Sequence, residues 1–313
     1  VTGAAATVAV PPEVEAALAR VAGMVEREDG AWHVDGEAAA TLAGALYERW
    51  YVRADDAPGP PAPVPGDPPV RRVSLLSAFR AAHAAAGVVE PGWTVTDAGP
   101  RGRVVAATGE RARLLRAGEY RAPLRPGAPP APGEQVAVVA RLDQVDPETA
   151  LWWAFTVEPP AAPLGRIYLD VRPACAPRAV HVVTGALAAI PHQLKCPVHV
   201  AACERVDTVV IYHAREARGA ALGALLASWS SLGLLLAPAI PPLTRGVRPG
   251  LAWADDPGGE VSFGQSRCAM VAGALEEAAG AWAALGGGAR VARLLEGLRA
   301  GGVDPAAPWV VPP

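Results

Sequence analysis

Lys195 is the only lysine among 28 Lys and Arg residues, which leaves 27 arginines. A guanidinium never gives up its proton in a protein. A lysine amine, ordinarily near pKa ~10.4, can be tuned to act as a base by burial and by neighbouring cations. A lysine that persists in so arginine-biased a composition is therefore a candidate base; the bland alternative is a chance survivor on a solvated hairpin. Its neighbours carry chemistry too. Residues 193–202 alternate like a strand, with Leu194, Cys196, Val198 and Val200 facing one way and Lys195 and His199 the other. Residues 207–213 read as a second strand. A tight two-residue turn at Cys203 and Glu204 would set Lys195 opposite Tyr212, about 5 Å away at Cβ, with Arg205 and Asp207 at the start of the second strand.

A second group lies downstream: Pro242, Thr244 and Arg245, then Asp255, Asp256 and Pro257, then Ser262-Phe263-Gly264-Gln265-Ser266-Arg267 opening a helix. Ser262 or Ser266 is placed to cap that helix. Its free N–H groups and positive dipole end suit an anion. Arg267 in the first turn opposes the dipole. It is either held there for something bound or paired with Asp255 or Asp256.

The elements that must position these residues read as α+β, with antiparallel sheet regions and segregated packing helices. Residues 1–55 form an N-terminal helical segment, with helices expected over 11–29 and 36–52. Residues 56–70, with seven prolines and two glycines, read as a linker or loop, and 71–313 as the main domain. A helix is expected over 74–86, stopped by Gly87. Short strands follow at 93–96, 103–108, 111–115, 134–141 and 151–157, with a Pro-rich connector at 121–133 and a turn at 143–148. Next come a strand at 166–171, a helix closed by Pro191, the two strands around Lys195, and helices at 215–231, 267–285 and 289–300.

Composition narrows the function. The net charge of −3 supplies no field toward nucleic acid or an anionic membrane. No apolar run approaches the ~20 residues of a membrane span, and the first ten residues lack a basic signal-type start, so a soluble, cytoplasmic protein is expected. Cys175, Cys196, Cys203 and Cys268 lack metal spacing and read as buried free thiols rather than a metal site or disulfide; no metal is assigned.

The run Pro191-x-x-Leu194-Lys195, Arg205-x-Asp207-x-x-Val210-x-Tyr212, Pro242-x-Thr244, Asp256-Pro257 and Ser262-Phe263-Gly264-x-x-Arg267 resembles the HopA-type type III effector family. Leu46-Tyr47-x-x-Trp50-Tyr51 and Gly92-Trp93 are also similar to that family, so the resemblance spans about residues 40–310. Its actinobacterial members look like lyase subunits of class V lanthipeptide and thioamitide biosynthesis, part of RiPP (ribosomally made, modified peptide) chemistry. The resemblance implies a HopA-like lyase that beta-eliminates phosphate from phospho-Ser or phospho-Thr of a precursor peptide, leaving a dehydroamino acid. A separate phosphotransferase-like kinase would supply this phosphopeptide, with a cyclase as a further possible partner and no cofactor. It implies Lys195 as base, Tyr212 or His192 as general acid, and Arg205, Arg267 and Arg245 as phosphate contacts. Asp207 would orient Arg205 or Tyr212, with Ser262 in support. His192 stands where the family pattern is aromatic, so it is either an acid or a ring-for-ring replacement. The alternative is a non-catalytic, effector-like scaffold that binds the peptide or the kinase.

Overall fold

The computed structural model describes residues 9–53, 74–84, 88–117, 119–122, 128–140 and 142–311; the expected 56–70 linker and the Gly87 stop lie outside them. In chain order the elements begin with α1 (Pro12–Met24), β1 (Val25–Glu28), β2 (Ala31–Val34), β3 (Glu37–Ala38), α2 (Leu42–Leu46) and a π-helical turn at Tyr47–Tyr51. Then come α3 (Leu76–Ala82), β4 (Val88–Ala98), β5 (Val104–Thr108), β6 (Arg111–Leu115), β7 (Tyr120–Arg121), β8 (Gln135–Ala140), β9 (Asp143–Asp146), β10 (Leu151–Phe155) and β11 (Leu164–Leu169). The remainder is α4 (Ala176–Ala186), β12 (His192–Pro197), β13 (Val209–Ala214), α5 (Arg218–Ala227), α6 (Trp229–Leu232), β14 (Arg245–Arg248), β15 (Leu251–Asp255), α7 (Phe263–Glu277) and α8 (Gly287–Ala300). The fold is α+β, and all the strand pairs among the described residues are antiparallel.

The central sheet has seven strands in the order β14-β15-β11-β13-β12-β10-β9. Its inner strands carry apolar residues on both faces, as a sheet covered on both sides requires. Odd positions of β11 and β13, with even positions of β10 and β12, face a core under α3 to α6 that includes Trp152, Ile167, Leu194, Cys196 and Ile211. The opposite positions, including Tyr168, Val210 and Tyr212, face α1, α2, α7 and α8. Residues 88–140 build a separate five-stranded sheet around its own small core of Trp93, Val95, Val104 and Val136.

Several expected elements differ. The 11–29 helix stops at Met24 because Asp29-Gly30 makes a tight hairpin turn, both residues at positive φ (48° and 83°), and Val25 pairs with Val34. Asp35-Gly36 turns the same way, so residues 36–52 hold β3, α2 and the π-turn rather than one helix. The expected turn at 143–148 is strand β9 up to Asp146, and the 215–231 helix breaks at Ser228. The β14–β15 hairpin was not expected. Its Gly250 has φ 75°, and a Cβ there would lie 2.1 Å from the Ala237 carbonyl oxygen, so only glycine fits. Among the described residues no helix is long and apolar enough to cross a membrane. The four cysteines are free thiols, three of them buried.

Candidate active site

Alternation along β12 sorts its side chains. His192, Leu194 and Cys196 are buried, while Gln193 and Lys195 are half-buried on the other face. The register differs from the expected one: Lys195 lies opposite Val210 on β13 and Trp153 on β10, and Tyr212 lies opposite Gln193 and Arg166. The reason is that the connection is not a two-residue turn. β12 ends at Pro197, and a 3-10 helix at Val200–Cys203 precedes β13. Tyr212 is thus the diagonal neighbour of Lys195, still within reach of a long side chain. Lys195 Nζ lies 5.6 Å from the centroids of both the Trp153 and Tyr212 rings, which stack on each other at 5.6 Å.

These residues line a cleft of about 570 Å³ together with Arg166, Arg205, Asp207 and Asp256. Arg166 sits 4.8 Å from the Tyr212 ring centroid and donates from Nε to Asp256 Oδ2 at 2.7 Å; both side chains are under a tenth exposed (7 % and 9 %). Arg205 grips Asp207 through Nε and Nη2, in the two-pronged geometry a guanidinium favours. The same Nη2 donates to the Tyr47 hydroxyl at 3.0 Å. Both arginines therefore have carboxylate partners, whereas Lys195 has none among the described residues and meets only aromatic faces. Cations over rings gain modestly, ~0.5–2 kcal/mol, so the rings help to locate the amine.

Helix α7 starts at the cleft wall. Ser262, not Ser266, is its cap: Ser262 Oγ accepts from the Gln265 backbone N–H at 3.2 Å, and Gln265 Oε1 accepts from the Ser262 N–H at 2.9 Å. Gly264 in the first turn meets the Tyr51 ring so closely that a Cβ would lie 2.3 Å from Tyr51 Cε1.

Three expected site residues lie elsewhere. Arg267 is 2 % exposed, and its Nε and Nη2 donate to the Pro308 carbonyl at 3.0 and 2.8 Å. Burial lowers its pKa, and it holds the segment after α8 rather than an anion in the cleft. Neither aspartate is its partner: Asp255 takes Arg218 and Arg215, and Asp256 takes Arg166. Arg245 pairs with Glu13 and lies 5.0 Å from the Trp309 ring centroid, outside the cleft. His192 belongs to the opposite sheet face, 2 % exposed, with Nδ1 on the Ile190 carbonyl at 2.8 Å. Burial lowers its pKa, and the sheet itself separates it from Lys195. The ring-for-ring replacement is the alternative that fits this placement.

Arg166 is the cleft residue that sequence reasoning missed. Its signal was a charge in the middle of an otherwise apolar strand, Leu-Gly-Arg-Ile-Tyr-Leu, and such a residue is almost never buried unless paired. Asp256 stood out only as part of a motif.

Residues 142–310 match the model of the HopA1 effector protein family. Two solved effector structures from Pseudomonas syringae resemble the chain. The one from pathovar tomato strain DC3000 has 24 % identity and a TM-score of 0.40, over 52 % of this chain and 64 % of that one. The one from pathovar syringae strain 61 has 20 % identity and a TM-score of 0.41, over 52 % and 65 %. The chain thus spans just under two thirds of the length of each. No curated protein matches it. The family match takes in more than half of the 313 residues, including Lys195, Tyr212 and both arginine–aspartate pairs of the cleft, and the chain belongs to the HopA1 effector protein family.

Proposed function

We propose that this cleft removes phosphate from phosphoserine or phosphothreonine of a peptide by beta-elimination. Lys195 in its neutral form takes the Cα proton. That electron pair becomes the Cα=Cβ bond, and the Cβ–O bond breaks with its electrons going to the departing phosphate. Tyr212 is placed to protonate the bridging oxygen. Arg166 and Arg205 supply donors for the phosphate oxygens, since positioned charge is usually the largest catalytic contribution. The Lys195 ammonium then gives up its proton and the Tyr212 phenolate regains one, both through solvent, so that the two groups return to their starting states. The peptide product carries dehydroalanine or dehydrobutyrine.

One observation carries this reading: the only lysine of the chain lies 5.6 Å from a tyrosine ring, in a cleft that two arginines also line, without a carboxylate partner among the described residues. The chain has neither a G-x-x-x-x-G-K loop nor an H-R-D catalytic loop. We therefore assign phosphorylation of the peptide to a separate kinase, with a cyclase acting on the dehydrated product and all three proteins in the cytoplasm. A second reading, a scaffold that binds peptide without reacting, draws on the charge balance. Lys195, Arg166 and Arg205 are matched in number by Asp207, Asp256 and Glu260 around the cleft.

The deciding experiment incubates the purified chain with a phosphopeptide and follows loss of the mass of phosphoric acid. Elimination by the wild type that Lys195→Arg cannot perform supports the lyase; bound but unaltered phosphopeptide supports the scaffold. Dehydration of unphosphorylated peptide with ATP alone would end the assignment of phosphorylation to a separate kinase.

A further inference from the structure

Tyr47 reaches the cleft from the π-turn, well before residue 142 where the family match begins. It is held from two sides. Its ring stacks on Tyr51 with centroids 5.6 Å apart and planes 12° apart, and its hydroxyl accepts from Arg205 Nη2 at 3.0 Å. A phenol can accept through its lone pairs and donate one proton. The bond from Arg205 uses a lone pair, and among the described residues no protein group accepts the proton. Arg205 offers a matching donor: Nε and Nη2 are engaged with Asp207 and Tyr47, while Nη1 has no protein acceptor among the described residues. Two donors side by side, both on groups lining one cleft, suit an oxygen-rich anion.

We infer that Tyr47 contacts the ligand directly, donating its phenolic proton to an oxygen of the bound phosphate beside Arg205. The inference rests on reading the cleft as a phosphate site, as proposed above. Burial raises the Tyr47 pKa, Asp207 adds to the rise and Arg205 opposes it, so the hydroxyl keeps its proton at neutral pH. The site is then completed by a segment outside the family match.

The test measures binding of inorganic phosphate by calorimetry, in phosphate-free buffer at pH 7, for the intact chain, for Tyr47→Phe and for site-specific Tyr47→3-fluorotyrosine. Phe keeps the stack on Tyr51 and loses only the hydroxyl; thermal melting checks its fold. Fluorine makes the phenol a better donor and a poorer acceptor. The expected result is about tenfold weaker binding for Phe, the loss of one hydrogen bond to a charged group, and tighter binding for 3-fluorotyrosine. Unchanged affinity in Tyr47→Phe would overturn the inference. So would a wild type that binds no phosphate, or weakening by both variants, which would make Tyr47 only an acceptor that orients Arg205. Phosphopeptide elimination is followed in parallel. A chain that binds phosphate through Tyr47 yet eliminates nothing supports this inference and ends the lyase reading. Elimination at the wild-type rate by a Tyr47→Phe variant with unaltered phosphate affinity does the reverse.

Discussion

The two faces of the seven-stranded sheet are made by the same strands and do different work. On one, Leu194, Cys196, Ile167, Ile211 and Trp152 form a dry core. On the other, neighbouring residues of those strands, Lys195, Arg166, Tyr212 and Trp153, line the cleft. Four of the five tyrosines, Tyr47, Tyr51, Tyr168 and Tyr212, lie on the cleft side, so phenolic donors are concentrated there. Adjacent residues thus build the core on one side and line the cleft on the other, and a mutation's expected consequence turns on its position being odd or even. The dry face fixes the strands rigidly, which is what a cleft needs to hold several charged groups in one geometry.

Lys195 and Leu194 offer the sharpest contrast. Lys195→Arg is expected to lower elimination by ~10²–10⁴-fold, the usual worth of a general base, with an unchanged melting temperature. Leu194→Ala, one residue away and fully buried, is expected to cost ~2–5 kcal/mol of stability and to leave the rate per folded molecule intact. Phosphopeptide mass spectrometry and denaturant unfolding read the two; a Leu194→Ala variant that is stable but inactive would break the division of labour.

Tyr212 and His192 extend the contrast to the general acid. Tyr212→Phe is expected to slow elimination by at least ~10²-fold if it protonates the leaving oxygen. His192→Gln is expected to leave the rate unchanged, because that ring faces away from the cleft. Single-turnover kinetics compare them, and slow elimination by the His192→Gln variant would contradict the assignment by face.

The arginines divide similarly. Arg267→Met should cost ~1.5–3 kcal/mol, since it removes a charged hydrogen-bond donor from the Pro308 carbonyl, while phosphate affinity per folded molecule persists. Arg166→Met should weaken phosphate binding. Calorimetry with unfolding curves separates the two effects.

The smallest expected effect concerns Asp170, which follows Tyr168 on the cleft-side parity. Burial, with Asp207 adding to it, raises its pKa to about 6. An unfolded aspartate titrates near ~3.9, so the folded state holds the proton more tightly. That preference favours folding at low pH and is lost as pH rises through about 6. Asp170→Asn should therefore melt higher than wild type at pH 7.5, with the difference gone below about pH 4. A constant difference across that range would assign the effect to packing instead.

Much of this was legible in the alternation of 193–202, which placed Lys195 against Leu194 and Cys196. The same parity puts His192 with Leu194, away from Lys195, and a reading led by the chemistry of the imidazole passes over it. The pairing of Lys195 could not be read, because the length of the connection depends on a 3-10 helix whose sequence, Val-Ala-Ala-Cys, carries no turn signal. The Asp29-Gly30 and Asp35-Gly36 turns are readable hairpin signals, yet the helical stripe of Val14, Leu18, Val21 and Val25 runs up to the first and masks it. Arg267 misleads because a charge opposed to a helix dipole looks functional when its partner, the Pro308 carbonyl, is far along the chain and marked by no motif.

The π-turn that carries Tyr47 has a consequence for how such a site is gained or lost. Its Val52 N–H reaches back five residues to the Tyr47 carbonyl at 3.1 Å, so the turn holds one residue more than an α-helix would. Removing a single residue between Tyr47 and Val52 would let the segment close as α-helix and swing Tyr47 by about 100° relative to the chain beyond the turn. The phenol would leave the cleft although every remaining side chain was the same. The anchor is therefore a matter of phase: a one-residue gap is enough to remove it, an event that comparing substitutions position by position never scores.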